Sequence, residues 1–350
     1  MPTARYSPVP VAVWFLNISQ VDAKMSWWQQ PPLPLAQREH FKEPTLLKSL
    51  VFESYAHGVT RPEGIAEGPD GTLWVSDKAG AVARVEADGS IAQLGQAGGE
   101  PNSLNFLPDG RLLIANFEGT LQVLDTRTGA IETLIAEVSG QRITHSNYAL
   151  ADSNGFVWAT ESTRFPDPGP DSIAQMLEKP DGWLFVRRPD GSSEILADGL
   201  SFANGLALSP DGRHLFVAET FTGRISRAEI LPGGVIGPLE TFCVLPEDGL
   251  EEQYMVAGPD GMAFDESGAL WVGVYNRNAL AVVSPDGKEV HLHAYDPTTT
   301  DLGWPTNPVF TGADRRDLIV GSISQPHVVK ARVETPGAPQ PYRITTPAAL

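Results

Sequence analysis

Short apolar runs alternate with polar turns along most of this chain, and the clearest example is residues 201–220, SFANGLALSPDGRHLFVAET. An apolar run that begins at Asn204 is followed by the turn PDG at 210–212 and by a second apolar run that begins at His214. Proline presets the backbone of such a turn, and glycine takes the position with positive φ. The pattern therefore predicts a β-hairpin of two short strands.

The same pattern recurs along the chain, which gives six copies of the hairpin. The other copies are opened by the polar residues Glu63, Asn102, Asn147, Asp260 and Asn307. Their spacing of roughly 40 to 57 residues belongs to the range of propeller repeats, and a third apolar run follows most copies. The chain is therefore predicted to be an all-β protein, a six-bladed β-propeller of four-stranded antiparallel blades.

The start of the chain does not follow the repeat. Residues 1–44 are predicted to form an N-terminal extension, and residues 45–350 are assigned to the propeller. Residues 46–55 precede the first full copy and are apolar enough to supply the outer strand of the last blade. Such a strand would fasten the two ends of the ring together and hide the sheet edges that an open array exposes.

A long insertion interrupts the third copy at about residues 161–181. Its centre, residues 172–177, has a composition that suits one or two helical turns. Loops of this length are usually functional or disordered. We expect the insertion to form a lid over a substrate pocket, with Phe165 on its apolar underside.

Composition narrows the class of partner. The chain has 350 residues, a formal net charge of −18 and an isoelectric point near 4.7, whereas nucleic-acid binding needs a basic surface. The single cysteine, Cys243, excludes an intramolecular disulfide. The apolar run at residues 9–18 is too short to span a bilayer. We expect a cytoplasmic protein that acts on a small molecule and binds neither nucleic acid nor membrane.

The polar residues that open the hairpins are the candidate functional residues. The first strand of each propeller blade lines the central channel, so equivalent positions on different blades point toward one axis. The residues concerned are Glu63, Asn102, Ser103, Asn147, Asn204, Asp260 and Asn307. Their carboxylate and amide oxygens suit a hard cation such as Ca²⁺, and the thiolates or paired histidines that favour zinc are absent from the set. The competing interpretation is that these side chains only satisfy backbone groups at strand starts.

Two segments carry a family resemblance, FANGL at 202–206 and PDGM at 259–262. Over roughly residues 50–330 the chain resembles the SMP-30/gluconolactonase/luciferin-regenerating family of calcium-dependent six-bladed propellers. The resemblance implies a catalytic Ca²⁺ held by Glu63, Asn147, Asn204 and Asp260. It also implies a hydrolase that opens a lactone or a related cyclic ester. Mg²⁺, Mn²⁺ or Zn²⁺ are expected to substitute for Ca²⁺, since oxygen sites discriminate mainly by size and ligand number.

The same resemblance suggests roles for individual residues. Asp260 would be a metal ligand and also a general base or nucleophile, and His145 is a candidate proton carrier because imidazole titrates near neutral pH. His145 replaces an arginine that grips sugars in some members, and Tyr148 replaces a usual aspartate, which speaks against a sugar-acid lactone. The residues predicted to contact substrate are Asn102, Ser103, His145, Tyr148, Phe165, Trp304 and Asn307.

Three alternatives stay open at this point. One is a phosphotriesterase-type hydrolase that uses the same metal set. Another is a non-catalytic binding propeller of the NHL type, whose repeats residues 61–77 resemble, although the negative charge argues against the RNA-binding kind. The last is a lyase or condensing enzyme similar to strictosidine synthase, a neighbouring family that normally lacks the full metal set.

Overall fold

Six four-stranded antiparallel sheets, arranged around one axis, make up a β-propeller in the residues that the computed structural model describes. These are residues 50–168, 170–246, 256–294 and 302–349. The predicted fold class is confirmed. The predicted N-terminal extension, residues 1–44, lies outside the described residues.

Each blade uses consecutive strands, except that the last blade also takes the first strand of the chain. Strand β1 is Glu53–Tyr55. Blades one and two contain β2 Ile65–Glu67, β3 Leu73–Asp77, β4 Ala81–Val85, β5 Ile91–Gln96, β6 Pro101–Phe106, β7 Leu112–Asn116, β8 Leu121–Leu124 and β9 Ile131–Ile135. A short hairpin, β10 Glu137–Val138 and β11 Gln141–Arg142, follows blade two.

The remaining blades repeat the same order. Blade three contains β12 Ser146–Ala151, β13 Val157–Glu161, β14 Gly182–Arg187 and β15 Ser193–Leu200. Blade four contains β16 Ala203–Leu208, β17 His214–Glu219, β18 Arg224–Glu229 and β19 Glu240–Val244. Blade five contains β20 Pro259–Phe264, β21 Leu270–Val274, β22 Ala279–Val283 and β23 Val290–Ala294, and blade six contains β24 Pro305–Thr311, β25 Asp317–Ser322 and β26 Val328–Arg332.

The ring closes in two ways. The first strand of each blade contacts the first strand of the next, and β24 returns to contact β2. Strand β1 adds to the outer edge of blade six by antiparallel pairing, with Glu53 opposite Lys330 and Tyr55 opposite Val328. This pairing confirms the predicted outer strand for β1, while residues 46–49 lie outside the described part of the chain.

The apolar core is divided into clusters that lie between neighbouring blades. Between blades three and four, Trp158 and Leu184 pack against Leu215, and all three are fully buried. Fully burying one leucine side chain stabilises the fold by about 1.5–3 kcal/mol. The blades are therefore wedged against one another, which fixes the positions of the inner strands at the axis.

After β26 the chain crosses the end of the ring at which the PDG turns lie. This segment, residues 333–349, is called the C-terminal strap below. It forms an isolated bridge between Gly337 and Asp265 of blade five, and the Thr346 hydroxyl donates to the Asp152 carboxylate of blade three. The Tyr342 hydroxyl donates to the backbone oxygen of Glu67 in blade one at 3.4 Å. The strap thus ties three blades together.

The insertion of blade three contains the helix α1, Pro170–Glu178, and the predicted helical turns at 172–177 fall within it. In the part of the chain that the structure describes, every helix is too short or too polar to cross a bilayer.

Candidate active site

A cavity opens at the end of the ring where the inner strands begin. Its polar lining includes Glu63, Asn147, Asn204 and Asp260, which come from four different blades and are each at most 3% exposed. The rest of the lining is Arg61, Phe117, Phe202, Thr220, Tyr275 and Ile323. The empty space, including its opening to solvent, is about 340 Å³. The structure therefore brings the four predicted metal ligands to one place, as the repeat pattern requires.

Hydrogen bonds orient the two asparagine side chains. Asn204 Nδ2 donates to the Thr220 hydroxyl at 3.1 Å, and that hydroxyl donates to the Pro259 backbone oxygen at 2.9 Å. Asn102 Nδ2 donates at 3.1 Å to both the backbone oxygen and Oδ1 of Asn147. Because the amide nitrogen of Asn204 is held by Thr220, its Oδ1 is the atom left for a ligand.

Side chains of neighbouring blades also hold the backbone of the candidate ligands. The Glu63 backbone oxygen accepts from Asn307 Nδ2 at 2.8 Å and from the Thr306 hydroxyl at 3.0 Å. The Asn204 backbone oxygen accepts from the Thr160 hydroxyl at 2.7 Å. These bonds cross blade boundaries, so the position of each ligand depends on the closed ring.

A glycine follows three of the four candidate ligands and allows the inner strands to approach closely. A Cβ atom on Gly64 would lie 2.3 Å from the Asn102 backbone oxygen, and one on Gly205 would lie 2.3 Å from that of Asp260. A Cβ atom on Gly261 would overlap the Asn307 side chain. The close spacing of polar residues around the axis therefore requires glycine at these positions.

A polar residue at or just after the end of the second strand fastens the loop that enters each blade. In five blades this side chain accepts a hydrogen bond from a backbone nitrogen of the entering loop. The donor and acceptor pairs are Thr60 and Asp77, Glu100 and Asn116, His145 and Glu161, Ser201 and Glu219, and Gly258 and Asn276. In blade six the Ser322 hydroxyl donates to the Gly303 backbone oxygen. Each fastened residue lies two to four positions before a residue that opens an inner strand. Sequence analysis missed this device, although its signal is the polar residue that closes each second apolar run.

Glu161 is the member of this set whose charge is most affected by burial. Its Oε1 accepts from the backbone nitrogens of Thr144 and His145, both at 2.6 Å, and its side chain is fully buried. Burial raises the pKa of Glu161 from 4.5 to about 7. The folded protein therefore favours the protonated form of this residue, and the stability it contributes is fully present below pH 4.5 and is lost as the pH rises to about 7.

We expect Glu161→Gln to flatten the dependence of stability on pH. The pKa shift from 4.5 to about 7 corresponds to about 3 kcal/mol of unfolding free energy, which the wild type loses across this window and the variant keeps. Denaturant unfolding across the same pH window measures the difference. Glu137→Gln, at an exposed site, serves as the control and should leave the pH dependence unchanged. An equal pH dependence for Glu161→Gln and the wild type would contradict the prediction.

Charged groups are concentrated in and beside the cavity. Burial and the nearby Glu63 carboxylate raise the pKa of Asp260 well above its ordinary value. Arg61 Nη2 lies 2.7 Å from Glu63 Oε2, and Lys78 Nζ lies 3.2 Å from Glu100 Oε1. Burial and the Arg61 charge lower the pKa of Lys78 to about 8.

The donor set of the cavity fits a hard divalent cation. Asn204 Oδ1 and Asp260 Oδ1 are buried and accept no hydrogen bond from any described residue, and Glu63 Oε2 faces the Arg61 guanidinium. Buried polar atoms without partners are uncommon in proteins, and a bound ion often accounts for them. Clusters of three or more His, Cys, Asp or Glu side chains suited to a metal do not occur among the described residues, so a metal here would need the amide oxygens.

Several of the other residues predicted to contact substrate pack beside the cavity lining or bond to the candidate ligands. Trp304 packs against Tyr275 and Ile323 of the cavity lining, with ring centres of Trp304 and Tyr275 5.8 Å apart. Phe165 packs with Phe117 and Phe202, which also line the cavity. Asn102 and Asn307 donate hydrogen bonds to the candidate ligands Asn147 and Glu63.

Three of the predicted residues lie away from this cavity. The Ser103 hydroxyl accepts from the Ala149 nitrogen at 3.0 Å. Tyr148 lines a second cavity at the opposite end of the channel, beside the C-terminal strap. His145 is not part of the lining; its ring lies against Phe117, 5.3 Å between centres, and burial lowers its pKa.

A family model decides the relationship of this chain to known proteins. The model described as the SMP-30/Gluconolactonase/LRE-like region matches residues 59–324. The chain belongs to the SMP-30/gluconolactonase/LRE-like family. Members of this family include proteins named as gluconolactonases, and the matched residues contain all four candidate ligands.

Individual relatives of this SMP-30/gluconolactonase-family chain are distant. A 6-deoxy-6-sulfogluconolactonase of Pseudomonas putida is 24% identical over 284 residues, 77% of this chain and 89% of the relative. Protein strictosidine synthase-like 10 of Arabidopsis thaliana is 28% identical over 185 residues, 52% of this chain and 46% of the relative. The solved structure of regucalcin from Agrobacterium tumefaciens, described as a calcium-binding protein, has a TM-score of 0.66 at 21% identity and covers 85% of this chain and 100% of that one.

Proposed function

We propose that this protein is a Ca²⁺-dependent hydrolase that opens a lactone or a related cyclic ester. The observation that carries the proposal is the convergence of four buried polar side chains from four blades on one cavity, where Asn204 Oδ1 and Asp260 Oδ1 have no hydrogen-bond partner among the described residues. The relatives named as lactonases support the reaction class. The calcium-binding protein among the structural neighbours supports the choice of metal.

In this proposal Glu63, Asn147, Asn204 and Asp260 would hold the cation. When bound, a divalent cation supplies Lewis-acid polarisation of a carbonyl oxygen. Asp260 lines the cavity, and its Oδ1 has no hydrogen-bond donor among the described residues, so we assign it the proton of the attacking water. The apolar walls limit the access of bulk water, which strengthens the electrostatic interactions inside the cavity.

His145 has a supporting role in this scheme. Its Nδ1 lies 3.1 Å from the Thr144 hydroxyl, and its ring contacts Phe117, which lines the cavity, whereas His145 itself does not. We therefore assign no proton transfer to His145 and expect it to support the Phe117 wall.

Helix α1 is proposed as the lid of the cavity. Met176 is 3% exposed and packs in one cluster with Phe117, Phe202 and Phe221. Because Phe117 and Phe202 also line the cavity, the helix covers the outer side of the aromatic wall that a substrate would meet.

We expect Met176→Ala to alter substrate preference rather than the chemical step. Loss of the Met176 side chain loosens the aromatic wall, so KM for the largest accepted lactone should rise about tenfold, equivalent to about 1.4 kcal/mol, while kcat changes little. Steady-state kinetics on a large and a small lactone measure the effect. The conservative variant Met176→Leu should behave as the wild type, because the volume is nearly conserved. An unchanged preference in folded Met176→Ala would argue against the lid.

A substrate panel with metal removal tests the proposed function. The purified protein is assayed on an aldonolactone, an aliphatic lactone and a phosphotriester, after chelation and after Ca²⁺, Mg²⁺, Mn²⁺ or Zn²⁺ is added back. The proposal expects lactone hydrolysis that disappears with chelator and returns with Ca²⁺. Hydrolysis that is unaffected by chelator would refute the metal role, and turnover of the phosphotriester alone would favour the phosphotriesterase alternative.

The match to a strictosidine synthase-like protein favours a second candidate, a lyase or condensing enzyme of the same fold. Such an enzyme would leave every lactone of the panel unchanged. It is the weaker candidate, because that relative is matched over less than half of its own length and because its family normally lacks the full metal set that this cavity presents.

A further inference from the structure

Arg61 lies in the candidate active site between two buried glutamates. Its Nη2 is 2.7 Å from Glu63 Oε2, and its Nη1 contacts Glu100 Oε1. The side chain of Arg61 is 9% exposed and that of Glu100 is 2% exposed. The carboxylate of Glu63, a predicted metal ligand, is therefore already paired with a cation that belongs to the protein.

The backbone at Arg61 adopts a conformation that favours this placement. Its φ is +50°, in the left-handed region, and it precedes Pro62, where an extended conformation is normal. The strained turn is held by a hydrogen bond from the Glu63 nitrogen to the Arg61 oxygen at 2.9 Å and by one from the Ser322 nitrogen to the Pro62 oxygen at 3.1 Å. Such strain tends to occur at functional sites, where the surrounding structure maintains it.

The charges around Arg61 define two different balanced states. Buried carboxylates need positive partners. Arg61 contacts both Glu63 and Glu100, and Lys78 Nζ also lies 3.2 Å from Glu100. A divalent cation at Glu63 would lie beside the guanidinium, and like charges repel strongly where water is excluded. Because the guanidinium already contacts Glu100, it can keep that partner when a metal takes Glu63, and both glutamates stay compensated.

We propose that Arg61 is an internal counter-ion that metal displaces from Glu63, and that Arg61 and Glu100 together set the metal affinity of the site. The inference rests on the proposed function only in taking Glu63 as a metal ligand. Without metal, the carboxylates of Glu63 and Glu100 both have a positive partner. The affinity for metal is then lower than the ligand oxygens alone would give, because Arg61 competes for Glu63. Removing the guanidinium and removing its second acceptor must then change the affinity in opposite directions.

Calorimetric titration of metal-stripped protein with Ca²⁺ tests the proposal. Arg61→Met should bind Ca²⁺ at least about tenfold more tightly than the wild type, because no guanidinium competes for Glu63. Glu100→Gln should bind about tenfold more weakly, because the displaced guanidinium loses its acceptor. In the double variant that carries both Arg61→Met and Glu100→Gln, the second substitution should change the Ca²⁺ affinity little, because no guanidinium is left to lose its acceptor. If Glu100 acted only through its negative charge on the metal, the loss of affinity would persist in the double variant.

Arg188→Met is the matched control, since it removes an arginine paired with Glu194 at the opposite end of blade three. It should leave Ca²⁺ affinity unchanged. Thermal unfolding without metal verifies that each variant folds. If Arg61→Met fails to fold, Arg61→Gln, which also lacks the positive charge, takes its place in the single and the double variant.

Equal or weaker Ca²⁺ binding by folded Arg61→Met, or unchanged binding by Glu100→Gln, would overturn the proposal while leaving the proposed hydrolase intact. Ca²⁺ binding with the expected signs but without turnover of any lactone would reject the hydrolase and support the role of Arg61. Absence of Ca²⁺ binding in every variant would reject both.

Discussion

Asp260→Asn is expected to abolish hydrolysis and at the same time to stabilise the metal-free protein. Asp260 is 3% exposed, its Oδ1 accepts no hydrogen bond from a described residue, and the Glu63 carboxylate is near enough to raise its pKa. A buried charged group in this situation costs about 1–3 kcal/mol or more. An isosteric amide removes that cost, but it also removes the negative charge of a metal ligand and the proposed base, which contributes about 10²–10⁴-fold to a rate.

The two effects are measured separately. Unfolding in denaturant with chelator present should give Asp260→Asn a free energy of unfolding at least about 1 kcal/mol above the wild type, and the lactone assay with Ca²⁺ should show a kcat/KM lower by about 10³-fold. Asp265→Asn is not a suitable control, since Asp265 bonds Trp271 and the turn of blade five. Glu137→Gln, the same change from carboxylate to amide at an exposed site, should change neither quantity. A destabilised Asp260→Asn protein would show that the carboxylate serves the fold rather than the reaction.

Gly205→Ala is expected to damage the site through the backbone. The added Cβ atom would lie 2.3 Å from the Asp260 backbone oxygen and 2.7 Å from the Cα atom of Gly261. Neither atom belongs to a flexible side chain, so strand β20 must move and carry Asp260 with it. We expect a loss of about 1–3 kcal/mol of stability and at least about tenfold weaker Ca²⁺ binding.

Gly237→Ala provides the matched control for this substitution. A Cβ atom at Gly237 meets its nearest atom at 3.8 Å, an ordinary contact, and the residue does not have a positive φ. Where the backbone conformation is compatible, glycine to alanine is neutral or stabilises by about 0.4–1 kcal/mol. Thermal unfolding and calorimetry on both variants measure stability and Ca²⁺ binding. They decide whether losses in these two quantities come from the close approach of the blades or from the loss of a glycine. Similar results for the two variants would contradict the argument.

The sequence predicts the ring and the candidate ligands because both are repeated features. Each hairpin carries its own turn and its own polar opening residue, and strand order follows from the copy number. The pairs Glu63-Gly64, Asn204-Gly205 and Asp260-Gly261 mark the inner strands directly. Local patterning therefore determines which residues reach the axis.

Contacts between separate blades are not visible in such a pattern. The partner of Arg61 that matters most for the further inference, Glu100, is buried at the start of the next blade, and no spacing rule connects the two residues. The C-terminal strap has no strand periodicity, and its bond from Thr346 to Asp152 joins positions 194 apart. The position of His145 behind Phe117 depends in the same way on how the aromatic side chains of several blades pack.

The pairing of β1 with β26 has a consequence for the biogenesis of the protein. Blade six combines one of the earliest described strands with one of the last. During synthesis β1 therefore has no pairing partner until β26 has been made, which is after nearly the whole ring. Contacts between such distant positions form slowly, and unpaired strand edges of folding intermediates promote aggregation. A chain that stops before Val328 would lack β26, so β1 would stay unpaired and blade six would keep an exposed sheet edge. Completion of the last blade therefore depends on synthesis of the chain through β26.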